Sequence, residues 1–223
     1  MKKTFLVLAL TLVFGAVAAH AGTIVLTFEG LGDEAQVLNY YAGGFDSFGN
    51  GPGPNYGITF GSDSLSIISQ AAGGSGNFDG APTMPTVLFF LTGPGDIMNV
   101  PAGFTTGFSF YYSAAFNPGS VSVYSGLDGT GSLLAMLALP VTGDGTTFGP
   151  PCSGLYNFCP WDPIGVAFSG TAMSVNFSGT ANQIGFDNVT LGSASPVPEP
   201  GTLVMFGSGV VGLGSLLRRK FNV

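Results

Sequence analysis

Between Gly22 and Leu217 the sequence holds no lysine, no arginine and no histidine. The five basic residues are Lys2, Lys3, Arg218, Arg219 and Lys220, and the single histidine is His20, so every cationic side chain stands near one end of the chain. That absence removes whole classes of chemistry. Binding nucleic acid through its phosphates requires cations that displace counterions, so DNA and RNA are excluded as partners. No Ser–His–Asp or Cys–His nucleophile, His-ligated zinc, arginine clamp on phosphate or Schiff-base lysine can be assembled. Carboxylate chemistry, ligation of a hard cation by oxygen, and binding by aromatic and hydroxyl side chains remain.

Charge of any kind is scarce. Only 8% of the 223 residues are charged, and all twelve acidic residues fall in the base-free interval. Disordered chains combine low hydrophobicity with few aromatics; this one has 45% hydrophobic residues, 20 Phe and 7 Tyr, which points to a folded core. The 37 Gly and 15 Pro suit short strands joined by tight turns. Strand patterns recur at 23–28, 56–60, 64–68, 86–91, 103–112, 120–124, 133–139, 165–168, 172–177 and 183–191, with turn residues between them. Outside the two ends no window shows helical periodicity. The expectation is an all-β fold: an antiparallel β-sandwich, jelly-roll-like, over residues 22–191. Two long loops, 43–54 and 143–163, are where function is expected to reside.

The ends read as targeting segments. Residues 1–21 combine a Lys2-Lys3 start, an apolar stretch and Ala19-His20-Ala21, the pattern of a cleaved signal peptide. After a linker at 192–196, residues 197–223 hold Val197-Pro198-Glu199-Pro200, an apolar run at 202–217 and the cluster Arg218-Arg219-Lys220. The run is near the lower length limit for a membrane span, and the reading is a C-terminal transmembrane helix. Its basic flank should stay cytoplasmic, which places the sandwich outside the inner membrane as an ectodomain.

Pro198, Glu199 and Pro200, the apolar stretch, and Arg218 and Arg219 in that order resemble the PEP-CTERM sorting signal of Gram-negative bacteria. The same tail is also labelled an ice-binding protein C-terminal domain, which says nothing of what the rest of the chain binds. The resemblance implies an exosortase-type processing protease as partner and anchoring in the inner membrane as precursor. It also implies transfer to the cell surface or extracellular matrix, often beside exopolysaccharide and biofilm systems. Phe28-Glu29-Gly30-Leu31-Gly32, the 124–131 hairpin loop and Gly185-Phe186-Asp187-Asn188-Val189-Thr190 also resemble an ectodomain recurrent among such proteins, to which no activity attaches. More distantly, an acidic residue after the first strand and Asp-Asn in the last resemble carbohydrate-binding jelly rolls with a structural calcium.

Glu29 and Asp187 are therefore candidates to share a calcium ion, against a plain role as solvated turn residues. Cys152 and Cys159, the only cysteines, form an even pair in an exported chain and are expected to be a disulfide. The loop aromatics Tyr40, Tyr41, Phe45, Tyr56, Tyr156, Phe158 and Trp161 are candidates for stacking on sugar rings, although core packing is the commoner fate of any one of them; Trp161 and Tyr156, beside that cysteine pair, are the candidate glycan-binding residues. The acids are mostly scattered singly in turn contexts such as Asp128-Gly129. The expectation is thus a non-catalytic surface or matrix protein that binds extracellular polysaccharide. A carboxylate-dependent glycoside hydrolase and a purely structural surface protein are the alternatives.

Overall fold

The computed structural model describes residues 23–93 and 95–196. The expected signal peptide, the sorting residues Pro198, Glu199, Pro200, Arg218 and Arg219, and the expected span at 202–217 lie outside the described residues. Among the described residues no helix is long and apolar enough to cross a membrane.

Among the described residues eleven strands form two antiparallel sheets. They are β1 (Ile24–Leu26), β2 (Thr59–Phe60), β3 (Leu65–Ile68), β4 (Thr86–Phe89), β5 (Gly95–Phe104), β6 (Gly107–Ser113), β7 (Gly119–Tyr124), β8 (Leu133–Leu139), β9 (Asp162–Ala167), β10 (Ala172–Gly179) and β11 (Gly185–Leu191). One sheet runs β3-β4-β11-β6-β9, with β1 also paired to β11; the other runs β2-β5-β10-β7-β8. The sheets bury a common core. Phe108, Phe110, Leu88 and Phe186 come from the first and Val121, Val175, Phe177 and Met98 from the second. Aromatic edges meet aromatic faces in it, Phe177 and Phe186 at 4.9 Å across the two sheets and Phe110 and Phe186 at 5.7 Å within one. Each such ring contributes about 1.5–3 kcal/mol by burial, with a further increment for its edge-to-face geometry.

The region expected as one strand at 103–112 is two. Thr106 takes φ +81, and the chain turns there from β5 in one sheet to β6 in the other. The strand before that turn, β5, is masked in sequence by Asp96 and Pro101. Proline is tolerated because the β5–β10 register skips from Ser174↔Asn99 to Ala172↔Phe104, and Pro101 falls in the irregularity where no ladder donor is required.

In β11 all seven residues are buried. Alternation inverts within the strand: Phe186 points into the shared core, and so do Val189 and Leu191. The inversion occurs at Asn188, with φ +48, where the β11–β6 register shifts between Asp187 and Thr190. A bulge of this kind re-aims its neighbours, and here it sends Asp187 away from the core. Residues 192–194 run on against β6, Gly192 N donating to Gly107 O at 3.0 Å and Ser109 Oγ to Ser193 O at 2.9 Å.

Candidate functional site

The outer face of the first sheet is roofed by the two segments 69–82 and 143–161. Glycines let each segment fold closely on itself: a Cβ on Gly145 would lie 2.3 Å from Tyr156 O, and one on Gly76 would lie 2.5 Å from the Phe78 ring. The segments are stitched together by Phe158 N donating to Asn77 O at 3.2 Å and by the bridge of Phe158 to Phe78, while Gly145 N donating to Asn157 O at 2.8 Å and the bridge of Asp144 to Phe158 close the second segment on itself. Cys152 and Cys159 are joined in a disulfide, Cα atoms 5.8 Å apart, as their sequence context predicts. Phe78, Ala81, Val87, Cys152, Cys159 and Trp161 form a second, smaller core under this roof. Asp79 lies against the two sulfurs, but with both cysteines bonded to each other the three are no thiolate metal site.

Between roof and sheet opens a cleft of about 350 Å³. Its floor is Ile67, Val87, Phe89 and Gly185, and its aromatic walls are Phe78, Phe116, Phe158 and Trp161. Asn77 and Asn157 stand on one side, Asn182 and Gln183 on the other. No acid and no base lines it. The amides are ordered by a chain of hydrogen bonds that begins at a carboxylate. Asp144 Oδ1 accepts from Asn157 Nδ2 at 2.9 Å, and Asn157 Oδ1 accepts from Asn77 Nδ2 at 2.6 Å. Asn77 Oδ1 in turn accepts from Asn157 N at 3.2 Å. A carboxylate can only accept, so Asp144 sets which way both amides face. Hydrogen bonds from Thr146 and Asn157 hold the Asp144 carboxyl below its ordinary pKa and keep it charged. Across the cleft, Gln183 Oε1 accepts from Asn117 Nδ2 at 3.1 Å, which leaves the Gln183 N–H groups for the opening.

Of the two aromatics singled out in sequence, Trp161 lines this cleft but is only 9% exposed. Its Nε1 donates to Asp79 O at 2.9 Å, its ring meets Phe78 edge-on at 5.9 Å, and it lies over Gly185. Tyr156 is half-buried in the same loop and is not part of the lining. Phe158, also among the loop aromatics expected as candidates, lines the cleft, whereas Phe116 and the amides were not singled out. They come from four separate stretches of chain, and nothing local marks them.

Glu29 and Asp187 are brought to one loop. Glu29 Oε1 accepts from Thr86 N at 2.9 Å and Asp187 Oδ2 from Thr83 N at 2.8 Å. Asp187 Oδ1 accepts from Asn188 N at 2.7 Å, and Thr83 Oγ1 donates to Asn188 Oδ1 at 2.8 Å. The register of β1 on β11, Leu26↔Val189, carries the chain toward Asp187, and Phe28 is held there in the left-handed region at φ +61. The Tyr41 hydroxyl accepts from Phe28 N at 2.7 Å; burial pushes its pKa well up, with Asp187 adding to the shift. The donor set here is oxygen throughout. In its chemistry such a set fits a hard cation.

A family model described as the PEP-CTERM protein-sorting motif matches residues 196–220. The chain carries a PEP-CTERM sorting motif. The motif implies an exported protein with a membrane-associated C-terminal sorting signal, processed by an exosortase. No curated protein matches the sequence. Among solved structures, the K2 cleaved adhesin domain of Lys-gingipain is similar at TM-score 0.47 and 11% identity, over 77% of this chain and 99% of that one. A family 43 arabinoxylan arabinofuranohydrolase from Bacillus subtilis is similar at TM-score 0.39 and 20% identity, over 60% of this chain and 26% of that one. A carbohydrate-binding module of Cellvibrio mixtus lichenase 5A gives TM-score 0.33 and 13% identity, over 59% and 88%. These are partial likenesses, and the reading of the cleft rests on its own residues.

Proposed function

We propose that the exported domain is a non-catalytic component of the cell surface or extracellular matrix that binds uncharged glycan in the cleft beneath the disulfide-bonded roof. The observation that carries this reading is the lining itself: four aromatic walls, four side-chain amides and no ionisable group. Sugar rings present apolar C–H faces to aromatics and hydroxyls to amides, and a cleft of this volume lies in the range of small-ligand sites. The lack of a carboxylate in the lining speaks against a glycoside hydrolase here, since such enzymes flank the scissile bond with two acids. Acidic polysaccharide is disfavoured as a ligand, because Asp144 stands directly behind Asn157 and the domain offers no cation to offset it. Glu29 and Asp187 are assigned to a calcium ion with a structural part, joining β1 and β11 to the 83–86 loop.

The test is a panel of neutral and uronic oligosaccharides titrated calorimetrically against the protein and its Asn157→Ala and Phe158→Ala variants. Binding of a neutral member, weakened about tenfold or more in both variants, is the expected result. Binding of uronic members alone, or variants that bind as wild type does, would remove the cleft from the function.

A further inference from the structure

We infer that β8 is a self-association edge, along which a second copy of this chain extends the five-stranded sheet by antiparallel pairing. A strand at the end of a sheet presents unpaired N–H and C=O groups, and natural proteins guard such strands by shortness, charge, proline or cover. Among the described residues the strands paired on one side only are β1, β3, β9, β2 and β8. Four of them are guarded. Strand β1 has only three residues. Residues 35–37 lie along β3, with Ser66 N donating to Ala35 O at 2.9 Å and Val37 N to Ser64 O at 3.0 Å. Strand β2 has two residues, and Phe60 N already donates to Leu38 O at 2.8 Å. Strand β9 opens with Asp162-Pro163, a charge beside a missing donor.

Strand β8 carries none of these devices. Leu133-Leu134-Ala135-Met136-Leu137-Ala138-Leu139 has no charge, no proline and no polar side chain. Among the described residues it makes no backbone hydrogen bond beyond its ladder with β7, and β9 passes its flank without one. Its solvent side is apolar as well, with Met136 61% and Leu133 54% exposed.

Two features identify the occupant as another copy. The first is steric. The β7–β8 register skips Leu134, which leaves Ala135–Leu139 as the regular stretch. Antiparallel pairing of this stretch with itself about Leu137 sets Leu137 against its own copy and, to either side of that central pair, each Ala135 against a Leu139 and each Met136 against an Ala138, large against small. The second is electrostatic. The described domain is anionic with no base, yet neither β7 nor β8 holds an acid. Two copies therefore meet here without setting carboxylates against each other, in a closed two-fold arrangement.

Sedimentation equilibrium of the full-length protein in detergent, from low to high micromolar concentration, tests the inference. The comparison is with Met136→Lys and with Leu155→Lys, a control at an exposed site on the roof. The expected result is a monomer–dimer equilibrium in wild type and Leu155→Lys. Met136→Lys should raise the dissociation constant more than about tenfold, with a melting temperature equal to that of wild type at concentrations where both are monomeric. A wild type that stays monomeric throughout, or a dimer that survives Met136→Lys, overturns it. A change that Leu155→Lys matches does so too.

Discussion

Asp96 lies on β5 with its carboxyl buried in the sandwich, where the Ser64 hydroxyl donates to Oδ1 and Oδ2 has no hydrogen-bond partner among the described residues. Burial raises its pKa from 3.8 to about 7, opposed by Ser64 and assisted by Asp63. Between these two values the folded state binds more protons than the unfolded one, so stability falls as pH rises through that window. The full shift corresponds to roughly 4 kcal/mol. Asp46 works in the opposite sense. Burial pulls its pKa up, but hydrogen bonds from Asn50, Gly32 and Phe48 outweigh this and lower it, so its contribution is lost as pH falls below the ordinary carboxylate range. Stability should therefore peak near pH 4–5 and decline toward neutrality. Urea unfolding at pH 5 and pH 8 should show the decline in wild type and a much flatter response in Asp96→Asn. Equal slopes in the two would mean Asp96 titrates normally. A second residue-scale expectation concerns Gly185, where a Cβ would lie 2.8 Å from the Trp161 ring. Gly185→Ala should cost about 1–3 kcal/mol in the same measurement and shift Trp161 fluorescence, because a packed indole cannot swing aside as a flexible chain end does.

At the scale of elements, what could be read in advance depended on how local the cause was. The β7–β8 hairpin is legible because Gly126, Gly129 and Gly131 punctuate two apolar runs, and the pair Cys152–Cys159 because an exported chain with two cysteines has one pairing available. Strand β5 is hidden because Asp96 and Pro101 look like turn residues; only the fold reveals that one is sequestered and the other falls in a bulge. The cleft is hidden for a different reason. Asn77, Phe116, Asn157 and Gln183 are unremarkable in sequence and meet only after the roof segments fold over the sheet. Trp161 was visible both as a candidate and as a possible core residue, but the partners that bury it, Gly185 beneath it and Asp79 O beside it, were not. The disulfide closes a short loop, seven residues apart, that carries Asn157 and Phe158. Cys152→Ser with Cys159→Ser should cost about 2–3 kcal/mol in the chain-entropy view. The same substitution should weaken neutral-glycan binding more than Asn157→Ala alone does, because it frees one whole wall of the cleft. Binding unchanged in the double variant, checked calorimetrically, would show that the roof holds its shape without the bond.

For the whole molecule the governing fact is an exported domain with eleven acids and no base. Its carboxylates cannot form ion pairs within the domain, so they accept hydrogen bonds, stay hydrated, become protonated like Asp96, or bind cations from the medium. The first is visible at Asp46, Asp144 and Asp187. Cations can act in two ways, and the two are separable. Screening of mutual repulsion depends on ionic strength alone and should raise the melting temperature gradually with sodium chloride. Occupation of a site at Glu29 and Asp187 should depend on calcium at concentrations too low to alter ionic strength, saturate, and survive a background of salt. At about one hundred times its dissociation constant a bound ion stabilises by about 2.7 kcal/mol. In a domain of this size that corresponds to a rise of roughly 5–10 °C in melting temperature. Chelator-treated protein titrated with calcium in constant salt should show this saturating rise, and Glu29→Gln should abolish it while leaving the sodium chloride response intact. If the calcium response merely tracks ionic strength, or if Glu29→Gln leaves it unchanged, the two carboxylates serve the 83–86 loop through their hydrogen bonds alone.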